Sequence, residues 1–507
     1  MSVGGIFQLV SNDGIQDQLI MQTEKLLFNI KKISCDRIAK LKSANPNITE
    51  DDIMNTNEAW MPTLSSIEQS HILFINSSFK PFVAMAHEYA KTSARGGLPA
   101  LGSSFEFQLP INGDFINDCI VYVKLTGLSS VSSLDKVRYY EMLAHRLMKY
   151  TEFKVAGNII DSYTSDDYNA YYTFKVPQHK ETGYLRCIGQ EIPKLGYLTA
   201  DPVVDEVREY KYFGDGNQTF KNVQDTVELY IPLLFWFKDI NTSLPNFILS
   251  YGQTIVGITF EEQSNLIAYA DYGGGGAYHI PTIAECSLYM NNIYLLPEVH
   301  QIFMTRYGFQ LIRVHRSHVE TLTDASKSVR LYSLKWPVES IYVAFRPVVN
   351  NYNSQLWYKN TSVVEKTVKE AVVTGTSSIQ VNNAIYLDES HVVQNISLKS
   401  FDITIYPSLA PEFYNNYIPL RYGKDIKTPK DLGWYMMNFN FMPGQYQPSG
   451  HLNVSRAREL DLVYTSAVNS SYQNIISPTN PVDLIVLADC INFILYKNKA
   501  MTLRFST

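Results

Sequence analysis

Apolar and polar positions alternate along much of this chain in the way that β-strands require, most clearly between Val227 and Phe260. Leu229 to Phe237 is a near-continuous apolar and aromatic run, too short for a buried helix, so it predicts a strand covered on both faces. Asn241 to Pro245 predicts a short helix or tight turn. The alternation in Gln253 to Phe260 predicts a half-buried antiparallel strand. Two strands joined across a corner favour a β-sandwich over an α/β enzyme.

Before this segment the pattern predicts a helical N-terminal arm and the opening strands of a sandwich. Apolar positions in residues 15–43 recur at helical spacing, and Asn45-Pro46 ends that helix. The strands predicted next are His71 to Asn76, Phe105 to Leu109, Phe115 to Leu125 and Glu152 to Val155. The second and third of these resemble a hairpin. A helix is predicted within Leu134 to Tyr150, and the polar, Tyr-rich residues 162–220 are expected to form a surface excursion.

The second half of the chain repeats this style. A short helix entered through Pro297 marks the expected domain boundary. The predicted strands around and after it are Ala284 to Leu296, Phe309 to His315, Leu331 to Leu334, Ser340 to Phe345, Ser378 to Val381, Ile396 to Ile405, Trp434 to Phe441, Leu460 to Thr465, Asp483 to Ala488 and Asn492 to Phe505. Low helix content and this strand spacing predict an all-β chain with an arm over residues 1–65 and two sandwiches over 66–296 and 297–507.

Composition excludes several function classes. The 507 residues exceed the usual size of one core. A formal charge of -6, without a basic block, argues against direct binding to nucleic acid, which needs clustered Lys and Arg. No signal peptide or transmembrane helix is predicted, so synthesis in the cytosol is expected. The five cysteines lie far apart and are expected to be buried free thiols, and the eight Asn-x-Ser/Thr sequons are expected to be chance matches.

Candidate chemistry is sparse, and we predict no catalytic, cofactor-binding or metal-binding residue. His315, His318 and Glu320 suggest a metal site, but strand positions three apart face opposite sides, so only His318 and Glu320 share a face. The run Gly273 to Gly276 lacks a following Lys-Ser/Thr and is expected to be a flexible loop tip rather than a phosphate cradle. Neither HExxH nor GxSxG occurs in the chain.

Paired acids and paired arginines are the other candidates. The acid pairs Asp51-Asp52, Asp166-Asp167 and Glu261-Glu262 are expected to be solvated loop charges rather than a glycosidase pair. Arg456 and Arg458 alternate on one face of a predicted strand. Their side chains either pack along the sheet with the charged ends in water or form a salt link across a subunit contact, and the sequence leaves both readings open.

Motifs along the whole chain carry a resemblance to a known family. They are GGIFQLVSNDG (4–14), PTLSSIEQSH (62–71), FKPFVAMAHEYAK (79–91), INGDFINDC (111–119), LFWF (234–237), LLPEVHQIFMTRYGFQLIRVH (295–315), LKWPVES (334–340), YIPLRYG (417–423), YQPSGHLNVSRARE (446–459) and INFILYKNKAMTLRFST (491–507). With these motifs the chain resembles the double jelly-roll major capsid proteins of nucleocytoplasmic large DNA viruses, above all those of African swine fever virus and its relatives. The chain is shorter than the swine fever protein.

The resemblance implies two tandem eight-stranded antiparallel jelly rolls, with an N-terminal arm and short helices in the loops. It further implies a non-enzymatic homotrimer whose six jelly rolls form a pseudo-hexameric capsomer of an icosahedral shell. The implied partners are neighbouring capsomers, minor capsid and penton proteins, and the inner viral membrane through the arm, with assembly in viral factories of the host cytoplasm. The sequence leaves two alternatives: a double jelly-roll scaffold of immature virions, and an enzyme or lectin built on tandem jelly rolls.

Overall fold

The computed structural model describes residues 85–196, 211–249, 254–295, 300–303, 308–374, 378–401, 403–422, 425–456, 459–497 and 500–505, with residues 39, 40, 42, 43 and 46. The predicted strand His71 to Asn76 and most of the predicted helix in 15–43 lie outside these residues. Contacts divide the chain into two compact units, one formed by Met1–Glu88 with Ile293–Thr305 and the other by Tyr89–Asn292 with Arg306–Thr507. The two sandwiches described next lie in the second unit, apart from the ends of two strands.

Strands dominate the described residues. In chain order they are β1 (Met85–Ser93), β2 (Ser104–Gln108), β3 (Phe115–Thr126), β4 (Ser129–Ser130), β5 (Lys136–Tyr139), β6 (Met148–Val155), β7 (Asn158–Thr164), β8 (Lys194–Gly196), β9 (Lys211–Phe213), β10 (Val227–Pro232), β11 (Leu244–Pro245), β12 (Thr254–Phe260), β13 (Ile267–Ala270), β14 (Tyr278–His279), β15 (Thr282–Leu295), β16 (Phe309–Leu322), β17 (Ser326–Arg330), β18 (Pro337–Pro347), β19 (Ser362–Thr374), β20 (Ser378–Ser390), β21 (Val393–Ser400), β22 (Ile403–Leu409), β23 (Trp434–Asn438), β24 (Leu452–Asn453), β25 (Asp461–Ser466), β26 (Val482–Lys497) and β27 (Ala500–Leu503).

Helices are short and lie in the connections between strands. The α-helices are α1 (Leu143–Leu147), α2 (Ser165–Phe174), α3 (Glu181–Cys187) and α4 (Ile418–Arg421), the last preceded by a π-helical segment Phe413–Tyr417. The 3-10 helices are Gln178–Lys180, Trp236–Lys238, Ile240–Thr242, Asn246–Ile248, Gln263–Asn265 and Val348–Tyr352. None of the helices that the structure describes is long and apolar enough to cross a membrane.

The strands form two sandwiches with the same topology. In the first, one sheet has the order β1-β15-β3-β10 and the other the order β2-β12-β6-β7. In the second, the corresponding orders are β16-β26-β18-β23 and β17-β25-β21-β22. In each sandwich the chain passes between the two sheets in the same sequence, which is the jelly-roll arrangement. The predicted all-β fold with two tandem jelly rolls is therefore confirmed.

The segment around β10 joins the two sheets of the first sandwich. Within β10, Val227, Leu229 and Ile231 are buried and the residues between them are not, as one-sided burial requires. The prediction of a two-sided strand from Leu229 to Phe237 is wrong, because β10 ends at Pro232. Phe235, Trp236 and Phe237 instead turn the corner and all three rings pack around Phe153 of the opposite sheet. Their apolar character reflects burial in a turn.

Several other sequence predictions are corrected. Strands β2 and β3 do not form a hairpin, since β2 pairs with β12 and β3 with β10. The helix within Leu134 to Tyr150 is limited to α1, because β5 and β6 occupy most of that stretch. Leu331 to Leu334 forms a turn rather than a strand. The excursion 162–220 contains the end of β7 and helices α2 and α3, and its tyrosines Tyr163 and Tyr168 are buried.

Strand β12 was expected to be half-buried, and the structure buries both of its faces. It lies between β2 and β6, opposite Glu106 and Glu152 at Gly257. On the outer face Lys154 forms ion pairs with both of these carboxylates. A Cβ atom at Gly257 would come within 2.8 Å of the Glu152 carboxylate. The stems of neighbouring charged side chains therefore cover the outer face of β12.

Candidate functional site at the junction of the two sandwiches

Helix α2 of the first sandwich begins where β7 ends. The Asp167 carboxylate accepts hydrogen bonds from the backbone N–H of Thr164 at 2.8 Å and from its hydroxyl at 3.1 Å. Asp166 and Asp167 also place negative charge in the first turn, where the helix dipole favours it. Burial raises the pKa of Asp167 to about 6. The Asp167 side chain that caps the start of α2 is therefore itself buried in the protein.

The apolar side of α2 covers the outer face of a sheet in the second sandwich. Ala170 and Phe174 belong to one buried cluster with residues of β18, β23 and β26, namely Tyr342, Ala344, Trp434, Met436, Ile485 and Leu487. The ring centroid of Phe174 lies 4.8 Å from that of Tyr342 and 6.2 Å from that of Trp434. This contact explains why β18 is buried at nearly every position. The inner face of β18 packs in the core of the second sandwich, and α2 covers its outer face.

An ion pair marks the end of α2. The ammonium group of Lys175 donates to both carboxylate oxygens of Asp489 on β26, at 2.8 and 2.7 Å. The hydroxyl of Tyr342 donates to the same carboxylate at 3.1 Å. Burial by itself would raise the pKa of Asp489, but Lys175 and these hydrogen bonds outweigh it and hold the pKa below its usual value. The Asp489 carboxylate is therefore charged and fully paired within the junction.

Two further ion pairs cross the junction. The Asp161 carboxylate on β7 accepts the backbone N–H of His315 at 2.8 Å and lies 3.0 Å from Nδ1 of its ring. Burial would lower the pKa of His315, but the charge of Asp161 reverses the effect and the pKa rises. Arg346 on β18 donates to Asp166 at 2.6 and 3.4 Å. Such paired groups fix the relative position of the sandwiches, because separating them would leave charges buried without partners.

A second region of the junction involves the loop before β19. The Trp357 indole N–H donates to the carbonyl of Glu141 at 2.6 Å, and the Tyr358 hydroxyl donates to the Glu141 carboxylate at 2.7 Å. The guanidinium of Arg138 donates to the Ser354 hydroxyl at 2.7 Å. Trp357 is fully buried by these contacts. The first and second sandwiches are therefore held together at two places, by apolar packing as well as by charge.

A cavity of about 280 Å³ opens beside α2, with walls from both sandwiches. Among the groups that line it, Lys175 pairs with Asp489 and Arg313 pairs with Glu339, and His315 pairs with Asp161 beside the cavity. Among the described residues no group of three or more potential ligands could hold a metal ion. The pairs Lys175–Asp489 and His315–Asp161 each join a residue of one sandwich to a residue of the other.

The candidate histidines take separate places. His315 reaches Asp161 of the first sandwich, whereas His318 faces away from it. The His318 ring lies 3.2 Å from the Ser333 hydroxyl through Nδ1 and 3.7 Å from Glu320 through Nε2. The expectation that only His318 and Glu320 share a face is confirmed.

The acid pairs and the arginines are partly corrected. Asp166 and Asp167 are part of the junction rather than solvated loop charges, because α2 is enclosed between sandwiches. Glu261 is buried 3.3 Å from Lys149 and is also not a solvated charge, whereas Glu262 is exposed. Asp51-Asp52 fall outside the described residues. Arg456 is exposed in a turn after β24 and not on a strand, and Arg458 is not among the described residues. Strand alternation therefore does not apply to Arg456.

The glycine run is also corrected. The backbone N–H groups of Tyr272, Gly274 and Gly276 donate to the Asp135 carboxylate at 3.0, 3.0 and 2.9 Å. These hydrogen bonds lower the pKa of Asp135 against the opposing effect of burial. Gly273 to Gly276 is therefore wrapped around an internal carboxylate instead of forming a free loop tip.

Of the cysteines in the described part of the chain, Cys119, Cys286 and Cys490 are buried free thiols. Cys187 is a free thiol on the surface, and Cys35 is not among the described residues. The expectation of buried free thiols is thus confirmed for three of the five cysteines.

Sequence reasoning missed α2, Asp161, Lys175 and Asp489. One signal was available, since Thr164 and Asp167 have the spacing of a capping pair and open a segment with Tyr168 and Phe174. Asp161 and Asp489 carry no local signal. Their importance comes from partners more than 150 residues away in the chain.

Comparisons with known proteins identify the family. The family model for the N-terminus of major capsid proteins matches residues 77–296, and that for the large eukaryotic DNA virus major capsid protein matches residues 292–502. The hexon protein p72 of African swine fever virus (isolate Tick/Malawi/Lil 20-1/1983) is 26% identical over 668 residues, covering 100% of both chains. Since this chain has 507 residues, the relative contains insertions.

Solved structures agree. The Faustovirus major capsid protein is 29% identical with a TM-score of 0.74, covering 96% of this chain and 100% of its own. The capsid protein in the PBCV-1 virus capsid has a TM-score of 0.61 at 17% identity over 85% of this chain and 98% of its own, a likeness of fold. The two family models together span both sandwiches. The chain therefore belongs to the double jelly-roll major capsid proteins of nucleocytoplasmic large DNA viruses.

Proposed function

We propose that three copies of this chain form a stable capsomer of pseudo-hexagonal outline, and that these capsomers tile the flat facets of an icosahedral shell. The observation that carries the proposal is the junction between the sandwiches, where α2 and three ion pairs join two jelly rolls of the same topology. A building block that contributes two rigidly joined, similar domains gives six such domains in a trimer. Six domains around a threefold axis approximate a hexagon.

Symmetry supports a trimer over a dimer. Three identical chains close a ring through one repeated head-to-tail contact. A dimer would require a self-complementary patch and would not approximate a hexagon. In the proposed shell, neighbouring capsomers, minor capsid and penton proteins are the partners, and the chain is assembled in viral factories of the host cytoplasm. We assign residues 66–296 and 297–507 to the two jelly rolls.

We further propose that residues 1–65 form an arm that contacts minor proteins or the inner viral membrane. The arm carries apolar residues at helical spacing and precedes both sandwiches in the chain. Deleting residues 1–43 should leave trimers intact and block shell assembly in a reconstitution or infection assay. Dissociation of the trimer on deletion would instead place the arm in the subunit interface.

The protein acts in this proposal without catalysis, cofactor or metal. Its long polar loops, rich in Tyr and Asn, suit broad protein contacts. Light scattering of the purified protein tests the capsomer: a mass of three chains of 57.8 kDa supports it, and a stable monomer that resists association refutes it. A chelator should leave the melting temperature unchanged. The comparisons do not favour the scaffold of immature virions, and finding the protein in mature particles would separate the two roles.

A further inference from the structure

The segment that forms α2 has a counterpart in the second sandwich. Residues 165–175 read SDDYNAYYTFK and residues 411–421 read PEFYNNYIPLR. Each segment follows the edge strand of the smaller sheet, β7 or β22, and leads towards the strand β10 or β23. Position by position, Tyr-Asn-x-Tyr recurs, and Phe174-Lys175 corresponds to Leu420-Arg421. The second segment, which we call the 411–421 helix, contains the π-helical residues and α4.

The two equivalent helices differ in what covers them. Phe174 is fully buried and Lys175 is paired with Asp489. Leu420 is 73% exposed and Tyr417 is 52% exposed. Arg421 is exposed and forms no ion pair with a residue that the structure describes. Tyr417 and Leu420 lie on one side at helical spacing, whereas Phe413, one turn earlier, stacks on Tyr417 and packs against the buried cluster around α2. The exposed side chains of Tyr417 and Leu420 therefore form a short uncovered apolar stripe that ends in a cation.

The sheet that α2 covers has a counterpart in the first sandwich as well. Strand β3 contains Val-Tyr-Val at 121–123, where β18 contains Ile-Tyr-Val at 341–343, so that Tyr122 corresponds to Tyr342. Strand β15 contains Ala-Glu-Cys at 284–286, where β26 contains Ala-Asp-Cys at 488–490, so that Glu285 corresponds to Asp489. Both the helix and the surface that receives it are therefore repeated within one chain.

The receiving face of the first sandwich is open in the single chain. Tyr122 is 8% exposed and contacts the rings of Tyr230 and Tyr289 at centroid distances of 5.0 and 6.2 Å, and Tyr230 beside it is 44% exposed. Glu285 forms an ion pair with Lys91, and both side chains remain accessible to solvent. The face thus offers a group of aromatic rings beside a carboxylate. This arrangement complements the 411–421 helix, in which an apolar stripe is followed by the cation of Arg421.

We propose that the 411–421 helix of one copy lies on the β3, β10 and β15 face of the next copy. Leu420 packs against Tyr122, and Arg421 pairs with Glu285. This inference rests on the proposed trimer and names the surface through which it closes. The contact between chains then reproduces the contact that α2 makes within a chain, so that six similar junctions alternate around the ring. The pair Asp166–Arg346 has no counterpart, because Thr126 corresponds to Arg346.

Charge reversal tests the pairing. Arg421→Glu should shift the concentration at which half of the trimers dissociate at least tenfold upward in light scattering, and Glu285→Lys should act in the same direction. The double variant Arg421→Glu with Glu285→Lys should restore association, since the pair is re-formed with opposite orientation. Lys335→Glu, an equal charge change at an exposed site, is the matched control and should behave like the natural protein.

Leu420→Asp provides a second test that does not depend on the ion pair, and its exposed position leaves folding of the single chain unaffected. It should yield folded monomers with an unchanged circular dichroism spectrum. Trimers of normal stability in both Leu420→Asp and Arg421→Glu would overturn the inference while leaving the trimer standing. A double variant that stays monomeric would refute the Arg421–Glu285 pairing. A monomeric natural protein would refute the proposed capsomer itself, and the inference with it.

Discussion

Truncating Phe174 to Ala should weaken the connection between the sandwiches more than almost any other single change. The ring is fully buried, and it packs against Tyr342 and Trp434 on the sheet of the second sandwich. Removing the Phe174 ring leaves a cavity between the two sandwiches, and the movement of a single side chain cannot fill it. Buried Phe-to-Ala changes cost about 3–5 kcal/mol, and we expect a loss in that range from the free energy of unfolding.

The measurement is urea unfolding followed by tryptophan fluorescence, which reports on Trp434 beside the truncated ring. The same truncation at Phe441, which is 78% exposed, is the matched control and should stay within about 0.5 kcal/mol of the natural protein. If α2 couples the two sandwiches, the Phe174→Ala variant should also show two separate transitions in place of one. A loss below about 1 kcal/mol with a single unchanged transition would refute the role assigned to α2.

Three further changes have defined outcomes. Trp236→Ala should cost about 3–5 kcal/mol and yield insoluble protein, whereas soluble trimer at normal yield would show that this turn is not core. Burial lowers the pKa of His145 from 6.5 to about 4, so its stability contribution is present above pH 6.5 and is lost as the pH falls towards 4. The loss should approach about 3 kcal/mol in acid unfolding curves and vanish in His145→Gln; equal pH dependence of the two proteins would contradict this. Asp135→Asn removes an acceptor oxygen from the Gly274 loop and should cost about 1–3 kcal/mol, with faster limited proteolysis at residues 271–277; an unchanged cleavage rate would show that the carboxylate does not hold the loop.

Local pattern determined where most of the long strands lie. Alternation or continuous apolar character located β3, β15 and β18 within a few residues, because side-chain burial along a strand has a period of two. Low helix content and the strand spacing also predicted tandem sandwiches. The motifs over the whole chain indicated the family, and the two family models match residues 77–296 and 292–502.

Tertiary structure alone decided which strands pair and what covers each face. The spacing of β2 and β3 suggests a hairpin, yet their partners lie more than 100 residues away in the chain, at β12 and β10. The run from Leu233 to Phe237 is apolar because a turn buries it, which periodicity cannot distinguish from a strand. The face of β18 is buried by α2, a helix from the other sandwich. The hydrophobic pattern of a sequence indicates that a side chain is buried. Which residues bury it depends on contacts between distant parts of the chain, and these form only in the folded structure.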